Sequence, residues 1–222
     1  MNAADLEPGG FALVPGVLAP DRCEALRGRL HAVAGAGERR LLAHPEVAEL
    51  ARSETLLRHL RPHLAREPHP VRAILFDKTP AANWFVAWHQ DLTVALQERV
   101  ETPGFGPWSV KEGLPHVQPP VEMLAQMLTL RLHLDPADET NGALRVLPGT
   151  HRRGRLAPGD IAACRADGEE VVCRANTGDA LLMRPLLLHA SGRATSARHR
   201  RVLHLEYAGF DLPAGLRWNE AA

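Results

Sequence analysis

The stretch Ala87–Thr93 reads AWHQDLT and places His89 and Asp91 one residue apart. Residues i and i+2 of a β-strand point to the same face. A strand ending here aims an imidazole and a carboxylate at one point, which is part of a metal site. A third donor has to come from elsewhere in the chain. Of the twelve histidines, His31, His59, His63 and His69 sit among Arg and Pro and are expected to face solvent. His44 precedes Pro45 at a helix start, and His151 lies in a turn. His89, His133, His189 and His204 fall on expected strands. His189 closes the run RPLLLHAS and can occupy a strand beside His89. Two imidazoles and one carboxylate on one face leave positions open for a co-substrate and O2, the donor set of non-haem Fe(II) oxygenases. Downstream stands Arg200, whose planar fork can grip a carboxylate in bidentate fashion. Ser191 shares the face of His189 if that strand continues.

Those side chains need a frame. Residues 1–70 read as helical. APDRCEALRGRLHAV has Asp21 near a helix start and Leu26, Leu30 and Val33 at three- and four-residue spacing. HPEVAELARSETLLRHLRPHL reads as one or two further helices, with Pro45 near a start and Ser53 as a cap. From Val71 the pattern changes to short apolar runs broken by Gly, Pro and Asn. VRAILFD, NWFVAWHQD, MLTLRLHLD, ALRVLP, EEVVCRA, DALLMRPLLLHAS and RVLHLEYAGF are the candidate strands, and Asn-Gly in ETNGALRVLPGTH marks a tight turn. The fold class predicted is mainly β with N-terminal helices, a sandwich or barrel such as a jelly roll covered on one sheet by the helices. The expected organisation is a single domain over 1–222, with a helical support region at 1–70, a core at 71–210 and a lid-like loop at 99–120. That loop is rich in Gly and Pro and holds Phe105, Trp108, His116 and Gln118. Loops of this length are often lids or binding loops.

Strand alternation sorts two runs into faces. In MLTLRLHLD, Leu128, Leu130, Leu132 and Leu134 share one face, and Met127, Thr129, Arg131 and His133 share the other. If Arg200 points inward, Val202, His204 and Glu206 join it, while Arg201, Leu203, Leu205 and Tyr207 face away. The apolar set is expected under the N-terminal helices. The polar set either meets water or lines a cavity.

Bulk properties narrow the field. The chain has 222 residues, 45% hydrophobic, with formal net charge zero. Without a run of like charges, non-specific binding to nucleic acid or to an anionic membrane surface is not expected. Three cysteines, Cys23, Cys164 and Cys173, argue against a disulfide framework, and no signal peptide or long apolar span is read, so a cytoplasmic location is expected. The expected partner is a small molecule.

The sequence resembles the phytanoyl-CoA dioxygenase family of Fe(II)- and 2-oxoglutarate-dependent oxygenases. The resemblance is carried by ILFDKTP followed by WHQD, by DETNGALRVLPGTH, by HASG, and by Arg200 eleven residues after His189, and it runs from about Val71 to Phe210. It implies a double-stranded β-helix with iron held by His89, Asp91 and His189. It also implies that Arg200, helped by Ser191, binds the far carboxylate of 2-oxoglutarate, although Arg198 and Arg201 flank it. With it, the inward faces read as a cavity in which Thr129 and Arg131 adjoin the co-substrate. His204 and Glu206, with Trp108 and His116 of the lid, then meet a small, partly polar substrate. The implied activity is hydroxylation of an unactivated C–H bond, and the carboxylate of Asp91 favours this over halogenation. The alternative is a metal-binding jelly roll without oxygenase activity: a cupin-like isomerase, a sensor or a silent binding domain.

Overall fold

A computed structural model describes residues 6–30, 37–213 and 215–220. The N-terminal part holds α1 (Leu6–Gly9), β1 (Phe11–Val14), α2 (Pro20–Arg29), β2 (Gly37–Arg39), α3 (Pro45–Ala51) and α4 (Glu54–Leu57). Then come β3 (His69–Lys78), β4 (Val86–His89), β5 (Val94–Ala95), β6 (Trp108–Lys111), β7 (Leu114–Val117), α5 (Val121–Leu124), β8 (Met127–His133) and β9 (Leu144–Val146). The chain closes with α6 (Pro158–Asp167), β10 (Val171–Val172), β11 (Ala180–Met183), β12 (His189–Ser191) and β13 (Arg200–Ala208).

The helices start where the sequence supplies starts. Pro20 and Pro45 occupy first-turn positions, where the missing N–H costs nothing. Ser53 stands at the N-cap of α4, but its hydroxyl donates back to Leu50 O at 2.7 Å instead of capping. His31 and Val33 lie outside the described residues.

The strands form a six-stranded sheet in the order β1-β11-β8-β13-β3-β2, a four-stranded sheet β10-β9-β12-β4 and a small sheet β5-β7-β6, with every strand pair antiparallel. The first two are the faces of a jelly roll. One face of the large sheet carries Leu128, Leu130, Leu132, Leu203, Leu205 and Tyr207, all fully buried against Cys23 and Leu26 of α2, Val47 and Leu50 of α3 and Leu56 of α4. The alternation seen in the sequence thus becomes the helix-covered side. Tyr207 is tied to it by its hydroxyl, which donates to Ala51 O at 2.9 Å. Between the sheets, Phe11, Val146, Leu181 and Leu187 fill one end. The polar side chains of β8 and β13 occupy the rest.

Two expectations need correction, and one helix was missed. The region 1–70 is not purely helical: β1 and β2 add the two outer strands of the large sheet. Each is only three or four residues long, too short to show a period, and its pairing partner is distant in sequence. The segment 99–120 is not a structureless loop, because β6 and β7 form a hairpin. Its two-residue turn, Glu112–Gly113, takes the left-handed conformation at both positions (φ 52° and 77°), which suits the Gly and the twist of a tight hairpin. Pro115 within the strand hid this pattern. The helix α6 was not anticipated, although Pro158 stands at its start and Asp160 accepts from Ala157 N at 3.2 Å.

Leu205 lies at the centre of the helix-covered face. Leu205→Ala is expected to cost about 2–5 kcal/mol of stability through lost burial and a residual cavity. Urea unfolding measures this, and a loss below about 1 kcal/mol would contradict the packing described.

Candidate active site

In the four-stranded sheet, β12 pairs with β4 so that His189 stands opposite His89. A bulge follows. Ser191 pairs with Val86, so β4 carries one extra residue across this step. Bulges of this kind re-aim side chains beside functional sites. The two imidazole rings end with centroids 4.1 Å apart. Asp91 lies just past the end of β4, where its N–H donates to Pro185 O at 2.9 Å. Its carboxylate oxygens lie 3.6 Å from His89 Nε2 and 3.6 Å from His189 Nε2. One donor atom from each of the three residues fits within 4.8 Å of the others, the spread of ligands around a single ion.

Both rings are oriented by the backbone. His89 Nδ1 is 2.9 Å from Ala87 O, and His189 Nδ1 is 2.9 Å from Leu187 O. A carbonyl only accepts, so each Nδ1 carries the hydrogen and each Nε2 turns its lone pair toward Asp91. Burial pulls the His189 imidazole down to about 4, against the upward pull of Asp91. The ring is therefore neutral at pH 7, the form that binds metal. Desolvation opposes ionisation of Asp91, but the pull of His189, His204, His89 and the Arg131 guanidinium outweighs it and holds the carboxyl below its ordinary range.

Gln90, between the two ligands, points the other way. Its amide donates to Gly154 O (2.8 Å) and Leu186 O (2.7 Å) and accepts from Leu156 N (2.8 Å). That anchor fixes the backbone from which His89 and Asp91 project. The signal was in the alternation itself: if two residues face the site, the one between faces the core.

A cavity of about 240 Å³ opens beside the triad, lined among others by Phe76, Trp84, Arg131, Ser191, Arg200 and His204. Arg200 is 2% exposed, and its Nε and Nη1 have no hydrogen-bond partner. Arg198 and Arg201 are engaged elsewhere, with Asp138 and Asp135, each at 2.6 Å. Arg131 is also buried, with its Nε unpartnered. Lys78, which stands opposite Arg200 on β3, is fully buried. Its ammonium donates to Ser191 Oγ (2.9 Å) and Gly192 O (2.6 Å) and lies 5.0 Å over the Trp84 ring. Burial first, then the Arg200 and Arg131 charges, pull it down to about 7. None of these three cations has a carboxylate within 4.0 Å among the described residues. Leaving charges of one sign buried and unpaired costs on the order of several kcal/mol each. The arrangement fits an anionic guest.

Farther along β13, Arg131 Nη1 donates to His204 Nδ1 at 2.8 Å, His204 Nε2 lies 3.4 Å from Glu206 Oε1, and Arg72 Nη1 lies 3.2 Å from the same oxygen. Because the guanidinium can only donate, Nε2 of His204 carries the hydrogen.

The structure therefore brings together His89, Asp91, His189, Ser191, Arg200, Arg131, His204 and Glu206. It does not bring Trp108, His116 or Thr129 to the cavity wall. Trp108 packs on the cluster of Val117, Phe105 and Trp218, beneath Arg99. His116 is buried with Nδ1 at Leu114 O. Thr129 is buried in the large sheet opposite Glu206. Lys111, at the end of β6, reaches the cavity instead, as do Arg39 and Arg72. Sequence reasoning missed these three and left Lys78 without a role.

The sequence model of the phytanoyl-CoA dioxygenase family matches residues 6–202. The chain belongs to the phytanoyl-CoA dioxygenase family. Its fold is shared by solved structures. AviO1 from Streptomyces viridochromogenes Tue57 is 23% identical with TM-score 0.68, over 95% of each chain. EctD from S. alaskensis, in its apoform, is 18% identical with TM-score 0.72, over 99% of this chain and 84% of that one. HygX from Streptomyces hygroscopicus, solved with nickel and 2-oxoglutarate bound, is 17% identical with TM-score 0.63, over 91% and 84%. No curated protein matches the chain. Membership of this dioxygenase family makes the chain an oxygenase of that superfamily. No helix among the described residues is long and apolar enough to cross a membrane.

His133 supplies a pH test of the buried cation cluster. It is 1% exposed, neither ring nitrogen has a partner, and burial, then Arg131 and Arg200, pull it down to about 3. Between that value and the ordinary histidine range the unfolded chain binds a proton that the folded chain refuses. Stability therefore falls as pH falls through this window. His133→Gln is expected to flatten that slope in urea titrations between about pH 6.5 and 4. An unchanged slope would contradict the site's electrostatics.

Proposed function

We propose that the protein is an Fe(II)- and 2-oxoglutarate-dependent dioxygenase that hydroxylates an unactivated C–H bond of a small, partly polar metabolite. The observation that carries this reading is the pairing, in one cavity, of the His89–Asp91–His189 donor set with the partnerless guanidinium of Arg200. A metal-binding jelly roll without a co-substrate has no use for that second feature. HygX, with 2-oxoglutarate bound beside a metal, supports the same assignment by likeness.

Fe(II) would sit on His89, Asp91 and His189. Bound there with 2-oxoglutarate, it supplies the activation of O2 that oxidises the C–H bond. The chain's residues do the rest. Arg200 receives the far carboxylate of 2-oxoglutarate through its free Nε and Nη1. Lys78 and Arg131 raise the positive potential there, and Lys78 also holds Ser191, whose hydroxyl donates to Gly142 O at 2.8 Å. Phe76 and Trp84 wall the cavity and exclude water. His204 and Glu206 present polar atoms toward the substrate. The cavity of about 240 Å³ admits a co-substrate and only a small molecule, or the reacting end of a larger one.

Two expectations test the reading. Asp91→Ala should abolish substrate-dependent succinate formation while the protein stays folded. Full turnover by that variant with iron bound would overturn the ligand assignment. Arg200→Gln should weaken 2-oxoglutarate binding about 100-fold, because it leaves the carboxylate without its charged fork. Arg198→Gln and Arg201→Gln, whose charges face Asp138 and Asp135, should leave it within about threefold. Equal affinity of the Arg200 variant and the parent would move the co-substrate elsewhere.

A further inference from the structure

The cavity has a second cationic group. Along the inner face of β13, Arg200 and Glu206 lie six positions apart, about 20 Å at roughly 3.3 Å per residue. On β3 their partners are Lys78 and Arg72. One end of the cavity therefore carries Arg200, with Lys78 fully buried beside it, and the other carries Arg72. Two more cations arrive at that other end from separate elements. Arg39 comes from β2, where it pairs with Ile74, and Lys111 comes from the tip of the β6–β7 hairpin, which belongs to the small sheet. Their convergence has no origin in local sequence.

The charges there do not cancel. Arg72 is matched by Glu206 at 3.2 Å and Arg39 by Glu112 at 2.7 Å. Lys111 has no carboxylate within 4.0 Å among the described residues, and its ammonium donates to Thr93 Oγ1 at 2.9 Å. Three cations against two carboxylates leave one positive charge in excess. Desolvation, then the neighbouring Arg72, pull the Lys111 ammonium below its ordinary range against the upward pull of Asp91 and Glu206. Lys111 remains exposed to solvent at the rim, and like charges brought together there favour an anion that joins them. Asp91 acts on Lys111 only from beyond 4.0 Å, and its oxygens lie 3.6 Å from the two imidazoles with which it forms the candidate metal site.

We propose that the substrate carries an anionic group, a carboxylate or a phosphate, and that Lys111, with Arg72 and Arg39, holds it at the end of the cavity opposite Arg200. This rests on the oxygenase reading above and names the class of molecule oxidised. His204, between Arg200 and Glu206 on β13, interacts with Asp91 through their charges, which puts the triad alongside the middle of the cavity. A small anion anchored at Lys111 then presents its carbon skeleton toward the metal side, with His204 and Glu206 beneath it. The hairpin also supplies selectivity, since it brings Lys111 to the mouth and is latched to β2 by the Glu112–Arg39 ion pair.

The test uses the full chain loaded anaerobically with Fe(II) and saturating 2-oxoglutarate, so that the Arg200 end is already filled. Small molecules are titrated calorimetrically in matched sets of one skeleton: the carboxylate, the phosphate monoester and the neutral amide or alcohol. The anionic members are expected to bind at least about tenfold more tightly than the neutral ones. Lys111→Glu should weaken only the anionic members, by about tenfold or more, and Lys111→Arg should restore them. Whichever anion binds better identifies the group, and either preference supports the proposal. Neutral members binding as well as anionic ones, or an unchanged anion affinity in Lys111→Glu, overturns it. Succinate release from 2-oxoglutarate without added substrate reads the oxygenase function separately. Succinate released without anion preference sinks only this proposal. Anion-selective binding without succinate under any condition sinks the oxygenase reading and leaves the anion site standing.

Discussion

The site depends on strand register. His189 faces His89 because β12 and β4 pair at that position, and side chains in a strand alternate with a period of two. A slip of one residue would turn His189 away from the cavity and replace it with Leu188 or Ala190. The structure guards against this slip on both sides. β12 also pairs with β9, where His189 stands opposite Val146, and Leu188 N–H donates to Thr150 Oγ1 at 2.9 Å. On the β4 side, Gln90 is anchored by three hydrogen bonds and Asp91 by one to Pro185 O. Such bonds contribute about 1 kcal/mol each, but a broken one leaves a buried polar group unpaired, which costs more. The register is thus protected by the penalty for leaving it.

Charge then divides the cavity. Buried cations without carboxylate partners destabilise a fold, and this one keeps Arg200 beside Lys78 at one end and Arg131 beside His204 farther along. The large sheet tolerates them because its other face is almost wholly apolar and packed under the helices. Each fully buried leucine on that face contributes about 1.5–3 kcal/mol. Several of them offset a cationic pocket whose compensation arrives with a guest. The same sheet thus carries stability on one side and binding on the other, and the alternation of β8 and β13 is what allows both.

Much of this was legible in the sequence. The alternation in MLTLRLHLD and RVLHLEYAGF marked the two faces, the spacing of WHQD marked two ligands, and the family resemblance pointed to Arg200 after His189, with Arg198 and Arg201 beside it as rivals. What stayed hidden was long-range or locally disguised. β1 and β2 are three or four residues long and gain their identity only from pairing with β11 and β3. Pro115 disguised a hairpin as a loop, so Trp108 and His116 were read toward the substrate, whereas Trp108 packs on an apolar cluster and His116 is buried with Nδ1 at Leu114 O. Lys111, three residues on from Trp108, lies on the alternate face of the same strand. The convergence of Arg39, Arg72 and Lys111 joins three strands from two sheets, which no local pattern encodes.

Anaerobic calorimetric titration of Fe(II) into the apoprotein and into His189→Ala is the most direct test of a single metal gripped by three distant side chains. The account predicts one equivalent of iron bound by the parent chain and an affinity at least about 100-fold weaker in the variant, the loss expected on removing one of three protein ligands. Binding of equal strength and stoichiometry in both proteins would contradict it.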